Sequence, residues 1–201
     1  MPAPITNPKD ITDAYDAWYR ELLSRGKLPL RSTALGFWGA IPSEALLDLF
    51  QVIKIGRFTT FCDLGSGDGK VVLLAALKGL HAEGVECDEE LHTIAVRMKQ
   101  RFWIQNAAFH LKDYYKHSIA PYDLVFLNPD QSPHHGLTDK LEKELHGHLI
   151  VFGAHFHPAN LNKQHAFTVG DYPVAHYIHH RRQPKNMHLI DSTIPARPLL
   201  L

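Results

Sequence analysis

The chain has 201 residues, 45% of them apolar and 21% charged, which matches a folded domain and excludes the polar, highly charged profile of disorder. One hydrophobic core with a short appendage fits this length, whereas two full domains do not. Twenty-one basic residues balance twenty-one acidic ones, so no overall field favours nucleic acid or an anionic membrane as partner, and the fifteen histidines make the charge positive only in mild acid. Cys62 and Cys87 lie in apolar runs rather than in a disulfide framework, as suits a reducing compartment. The stretch from Met1 to Asp10 lacks the basic start and apolar run of a signal peptide, and no segment approaches the roughly 18 apolar residues of a membrane span. The expectation is a cytoplasmic protein with no membrane partner.

Ile11, Tyr15, Trp18, Tyr19 and Leu22 recur at helical spacing with Gly26 as a stop, predicting a helix over 11–24. Residues 27–41 read as a loop whose Phe37 and Trp38, set between Gly36 and Gly39, suggest a segment folded over something. Pro42 and Ser43 lead into a helix over 44–53. From Phe58 the pattern alternates: strand to Leu64, helix 70–78, strand 82–86, helix 89–105, strand 108–111, strand 123–127, helix 138–144, strand 148–152. Apolar strands alternating with amphipathic helices specify a parallel sheet covered on both faces. Runs 166–169 and 174–178, separated by Gly170, Asp171, Tyr172 and Pro173, read as an antiparallel hairpin. The predicted fold is α/β: a Rossmann-like, doubly wound, mostly parallel seven-stranded sheet with a C-terminal antiparallel hairpin and an N-terminal helical extension.

The most informative stretch is Phe61-Cys62-Asp63-Leu64-Gly65-Ser66-Gly67-Asp68-Gly69-Lys70. An apolar strand runs into three alternating glycines and then a helix, so the backbone turns sharply and approaches a ligand where side chains would block it. The Gly-x-Gly-x-Gly spacing, with an aspartate two residues ahead, differs from the Gly-x-Gly-x-x-Gly of dinucleotide loops. Those loops bring amides to a pyrophosphate; acids flanking this one suit the ammonium group of an amino acid moiety. Glu86 ends the second strand seventeen positions beyond Gly69, where a carboxylate can accept from both hydroxyls of a ribose. Asp113, past the third strand, is placed to accept from an adenine amino group, or to serve as a turn or cap residue.

Asp63-Leu64-Gly65-Ser66-Gly67-Asp68-Gly69 followed by Gly84-Val85-Glu86 resembles the first two motifs of class I S-adenosylmethionine-dependent methyltransferases. The resemblance implies S-adenosyl-L-methionine as cofactor, with Asp63, Gly65, Gly67, Asp68 and Gly69 at its amino acid end, Glu86 at the ribose and Asp113 at the adenine. It also implies three parts: an N-terminal helix and cofactor-covering loop in 1–43, the methyltransferase domain in 44–180 and a C-terminal arm in 181–201. Leu141-Glu142-Lys143-Glu144-Leu145 before the strand 149–152, Tyr172-Pro173-Val174 in the hairpin and Ile41-Pro42-Ser43 ahead of the glycine loop are similar to the small class I protein-lysine methyltransferases that lack a SET domain. That likeness implies a protein substrate methylated on an amino group such as lysine, with nucleic acid not favoured. Asn128-Pro129-Asp130 departs from the mostly apolar residues of that family. It partly resembles the Asn-Pro-Pro-aromatic motif of amino-group methyltransferases acting on adenine, cytosine or glutamine, and it is equally a turn after a strand.

Methyl transfer from a sulfonium is an in-line displacement, so the protein has to exclude water, align the nucleophile and free its lone pair. Asn128 and Asp130 are the candidate catalytic residues, and Phe37, Trp38, Pro129 and His155 the candidate substrate pocket. Phe37 and Trp38 read equally as a cluster packing the N-terminal helix. The pairs His146/His148 and His155/His157 share strand faces, but no spacing fixes a third and fourth ligand, so no metal is expected. Two further functions fit: a methyltransferase for a nucleic acid base or small metabolite, and a scaffold that binds S-adenosylmethionine without turnover.

Overall fold

Asn7 opens the first helix, α1 (Pro8–Ser24), by accepting from the Lys9 N–H, and Pro8 occupies a first-turn position where no donor is needed. The computed structural model describes residues 7–130 and 136–179; the arm expected in 181–201 lies outside them. Ile11, Tyr15 and Tyr19 bury one face of α1. The stretch expected to be a loop contains a ribbon, β1 (Leu30–Thr33) paired antiparallel with β2 (Gly36–Gly39). Four-residue strands offer too few alternations to announce themselves in sequence. Next come α2 (Ser43–Val52), a 3-10 turn (Ile55–Arg57), β3 (Thr60–Leu64), α3 (Lys70–Leu77), β4 (His81–Glu86), α4 (Glu89–Phe102) and β5 (Ala107–Leu111). A second 3-10 turn (Tyr114–Lys116), β6 (Leu124–Leu127), α5 (Leu137–Glu144), β7 (His148–Phe152), β8 (Leu161–Val169) and β9 (Tyr172–His179) complete the order.

The main sheet has seven strands in the order β5-β4-β3-β6-β7-β9-β8. The first five are parallel, and β9 inserts antiparallel between β7 and β8. The order reverses at β3, which pairs with β4 on one side and β6 on the other. A doubly wound sheet opens its ligand crevice at the carboxyl ends of the strands flanking such a point.

Boundaries shift where local chemistry overrides pattern. The fourth helix stops at Phe102 because Trp103 adopts a left-handed conformation with φ of 55°, unusual for a residue other than glycine. Both hairpin strands begin or end beyond the predicted runs, since Asn162, Lys163, Gln164 and His165 give β8 the polar, bulged character of a protected edge. Alternate residues of the central strands feed two cores. Phe61, Phe126 and Ile150 face α1 to α4, while Cys62, Val125 and Leu149 face α5 and the irregular segments around Tyr114 and Phe156. Among the described residues no helix is long and apolar enough to cross a membrane.

Candidate active site

β3 delivers the chain to the glycine loop at the carboxyl edge, beside the reversal point. Gly65, Gly67 and Gly69 have φ of 81°, 54° and 85°, the left-handed region where a side chain is costly. A Cβ at Gly65 would meet nothing within 4 Å, so here bare backbone faces open space. At Gly67 a Cβ would collide with the Trp38 indole. At Gly69 it would lie 2.7 Å from Ala95 and from the Phe109 ring, so that glycine lets α3 settle against α4 and β5.

Three buried acids surround the loop. Glu86 accepts from the Gly67 N–H through Oε2 at 2.8 Å and from the Cys87 and Asp88 N–H groups through Oε1, each at 2.8 Å. About one of its four lone-pair directions remains, so taking both hydroxyls of a ribose would require it to release the Gly67 amide. Burial, with the charges of Glu86 and Asp68, holds the Asp63 carboxyl well above the usual carboxylate range. Burial also raises Asp68, against the opposing pull of the Tyr19 hydroxyl and the Lys70 ammonium. Buried like charges without a full counter-charge are an arrangement that favours a cation. Asp113 follows β5 and accepts from the Tyr115 N–H at 2.8 Å, opening the second 3-10 turn; its neighbour Tyr114 reaches the crevice.

Two clefts meet at Trp38. The outer one, about 560 Å³ and open to solvent, is lined by Glu86, Cys87, Tyr114, Leu127, Pro129 and Asp130 among others. The inner one, about 420 Å³, is lined by Asp63, Ser66, Asp68, Lys70 and Phe126 among others. Phe37, Trp38, Gly65 and Asn128 border both. Ser66 Oγ is buried with no hydrogen-bond partner. Such an orphaned hydroxyl, the bare backbone at Gly65 and the acid set fit a cofactor with an ammonium end and a ribose.

The β1–β2 ribbon bridges the outer cleft. Arg31 pairs with Asp88 at 2.9 Å and Glu90 at 2.6 Å on the start of α4, and the Phe37 N–H donates to Asp130 Oδ2 at 2.9 Å on the far side. Trp38 lies 6.1 Å from Trp18 and 6.4 Å from Tyr19, centroid to centroid, so it packs the N-terminal helix and covers the loop at once. Phe37 is 52% exposed at the mouth. Asn128 stands exposed past β6. His155 is exposed after β7 and lines neither cleft. His146 Nδ1 contacts the Glu144 carbonyl, His148 meets His176 and His157 meets the Tyr177 hydroxyl. Among the described residues no group of three or more His, Cys, Asp or Glu could hold a metal ion. Tyr114 lines the outer cleft, Lys70 lines the inner one and Tyr19 bonds Asp68 behind it; none of the three was singled out from the sequence. Only the position of Tyr114 beside Asp113 at a strand end offered a signal.

The family described as "Histone methylation protein DOT1" matches residues 34–132. The ATP synthase c-subunit lysine N-methyltransferase of Homo sapiens is 29% identical over 133 residues, covering 63% of this chain and 54% of that protein. Its namesake from Xenopus laevis is 30% identical over 128 residues, covering 60% and 54%. The chain thus spans about half the length of the curated relatives it matches. Among solved structures, an RNA methyltransferase from Salinibacter ruber in complex with S-adenosyl-L-homocysteine superposes with a TM-score of 0.60 at 17% identity, over 73% of this chain and 97% of that one. The putative methyltransferase yhhF from Escherichia coli superposes with a TM-score of 0.54 at 18% identity, over 66% and 82%. By strand order and these likenesses the chain has the Rossmann-like fold of the methyltransferases it superposes on, and over residues 34–132 it is similar to the DOT1 family.

Proposed function

We propose that this protein transfers a methyl group from S-adenosylmethionine to the side-chain amine of a lysine in a protein substrate. The observation that carries the cofactor half is the set of buried acids, Asp63, Asp68 and Glu86, around a glycine loop that exposes bare backbone at Gly65. The lysine half is supported by the relatives, both named for lysine N-methyl transfer. In this reading 44–180 form the transferase unit and 1–43 cover its cofactor.

When bound, the cofactor supplies a methyl group on a positively charged sulfur. Asp63 would hold the ammonium end beside Gly65, Glu86 would take the ribose on releasing the Gly67 amide, and Tyr114, with Asp113 behind it, would border the adenine. Trp38, with Gly69 and Asp68 fixing the loop beneath it, closes the cofactor off from water. On the acceptor side the Asn128 amide oxygen would accept from the amine and orient it in the outer cleft. Asp130 keeps Phe37 in place through its backbone bond. Phe37, Leu127 and Pro129 wall the lysine side chain. The cleft is open to solvent, so the amine, with a reference value of about 10.4, gives its proton to water before transfer and no dedicated base is assigned.

A cell extract supplied with the protein and methyl-tritiated S-adenosylmethionine is expected to carry the label in protein, recovered as methyl-lysine after acid hydrolysis. Asn128→Ala should lower kcat roughly tenfold, more than it weakens cofactor binding, the scale of one lost positioning hydrogen bond at an exposed site. Label in nucleic acid or small molecules would overturn the lysine reading. Cofactor binding without any transfer would favour a scaffold.

A further inference from the structure

The glycine loop is held from two directions. From the sheet, Glu86 binds the Gly67 N–H. From the opposite side, every bond converges on Asp68. Tyr19 Oη donates to Asp68 Oδ2 at 2.5 Å, Tyr15 Oη donates to the Asp68 carbonyl at 2.8 Å, and Asp68 Oδ1 accepts from the Lys70 N–H at 3.1 Å. Lys70 is itself buried. Its ammonium donates to the Ile41 carbonyl and to Ser43 Oγ, and it lies 4.8 Å from the centre of the Tyr19 ring. Ser43 Oγ in turn donates to Asp16 at 2.7 Å. Two tyrosines of α1 thus bond a single loop residue that lies between two glycines of positive φ, and the half-buried Asp16 of α1 is tied through Ser43 to the Lys70 ammonium.

A network of this kind adds little as simple stabilisation. Burying an ammonium and a carboxylate is costly, and apolar side chains of similar volume would pack the same space at least as well. What the network does supply is a fixed position. Glycines at 65, 67 and 69 leave the loop with little conformational preference of its own, and preorganised backbone is what a ligand site needs. The Asp68 carboxylate is turned to Tyr19 and the α3 backbone.

We propose that α1 is a working part of the cofactor site: Tyr19 is a positioning residue that holds Asp68, and through it the glycine loop, in the conformation that receives the cofactor. This rests on the cofactor assignment above. It moves Asp68 from a contact residue to a relay, and it makes Tyr19, 49 positions earlier in the chain, a determinant of affinity.

The test is calorimetric titration of the full chain with S-adenosylhomocysteine, for the native protein, Tyr19→Phe, Asp68→Asn and the double variant. Ile11→Val, which loosens the packing of α1 without touching the network, serves as control. Tyr19→Phe is expected to weaken binding roughly tenfold, the scale of one hydrogen bond to a charged group, and Ile11→Val to change it less than about twofold. The double variant should bind within about twofold of Asp68→Asn, because Tyr19 acts through Asp68. Tyr19→Phe should also show a steeper pH dependence than the native protein, with the ratio of the two affinities widening in acid. Its lost donor leaves Asp68 facing Asp16 on α1, Lys70 on α3, Asp63 on β3 and Glu86 on β4, where protonation is easier; a merely structural role would not produce this profile. Native-like binding by Tyr19→Phe across pH, or losses that add in the double variant, would overturn the proposal while leaving the cofactor assignment intact. Should Tyr19→Phe not fold, Asp68→Asn asks the same question, and unchanged affinity there is equally contrary. No binding by the folded native protein would instead remove the cofactor assignment, and the clamp with it.

Discussion

Asp63 is buried at the end of a strand, and its carboxyl sits high because burial and two neighbouring acids oppose its charge. A cationic ligand reverses that balance: the charged form becomes favoured and the proton is released. Affinity for S-adenosylmethionine should therefore rise with pH through the range in which Asp63 ionises. Binding enthalpies measured in buffers of different ionisation heat should report net proton release, and Asp63→Asn should abolish that release. Equal enthalpies in all buffers would contradict this role for Asp63. The residues that announced themselves in sequence, Asp63, Gly65, Gly67 and Glu86, do so because short-range chemistry fixes them: a turn needs glycine, and a strand end presents an acid. Tyr19 and Lys70 remained illegible because their meaning lies in contacts with distant residues. In sequence Tyr19 is one more aromatic in an amphipathic stripe, and Lys70 is the first residue of the helix that follows the glycine loop.

At the scale of elements, the parallel strands and their helices were legible because each is an apolar run bounded by turn residues. The β1–β2 ribbon was not, since its four-residue strands carry no periodicity and its role is to bridge the outer cleft between α4 and the end of β6. The hairpin hides a further feature. His176 of β9 stacks between His148 of β7 and His165 of β8, with ring centroids 5.1 and 5.6 Å apart. Burial, then the charges that His148, His165 and Arg57 would place beside it, pushes His176 down to about 3. Its ordinary value is about 6.5, so between those limits the unfolded chain binds a proton that the folded one refuses. The stabilising contribution is complete above about pH 6.5 and is lost as pH falls, by at most roughly 1.4 kcal/mol per pH unit from this group. Thermal unfolding followed from pH 7 to pH 4.5 should show a falling Tm, with a shallower fall in His176→Phe. An unchanged slope in that variant would locate the acid sensitivity elsewhere.

At the scale of the whole molecule, the reversal of strand order at β3 and the loop that follows it bring Asp63, Asp68, Glu86 and the ribbon above them to one crevice, whereas Asp113 lines neither cleft and caps the turn at Tyr115. What the alternation of strand and helix could not show is how unevenly the sheet is covered. Helices α1 to α4 pack one face, and α5 with irregular segments the other, because the chain after β7 turns directly into the hairpin instead of making another helical crossover. Whether this crevice binds S-adenosylmethionine is read by calorimetric titration of the native protein and a Gly67→Arg variant with S-adenosylmethionine and S-adenosylhomocysteine. The side chain introduced at Gly67 meets the Trp38 indole and a backbone of positive φ. The expected result is saturable one-to-one binding of both ligands by the native protein and its loss in a variant that still folds. Absence of binding by folded native protein, or undiminished binding by the variant, would contradict the account.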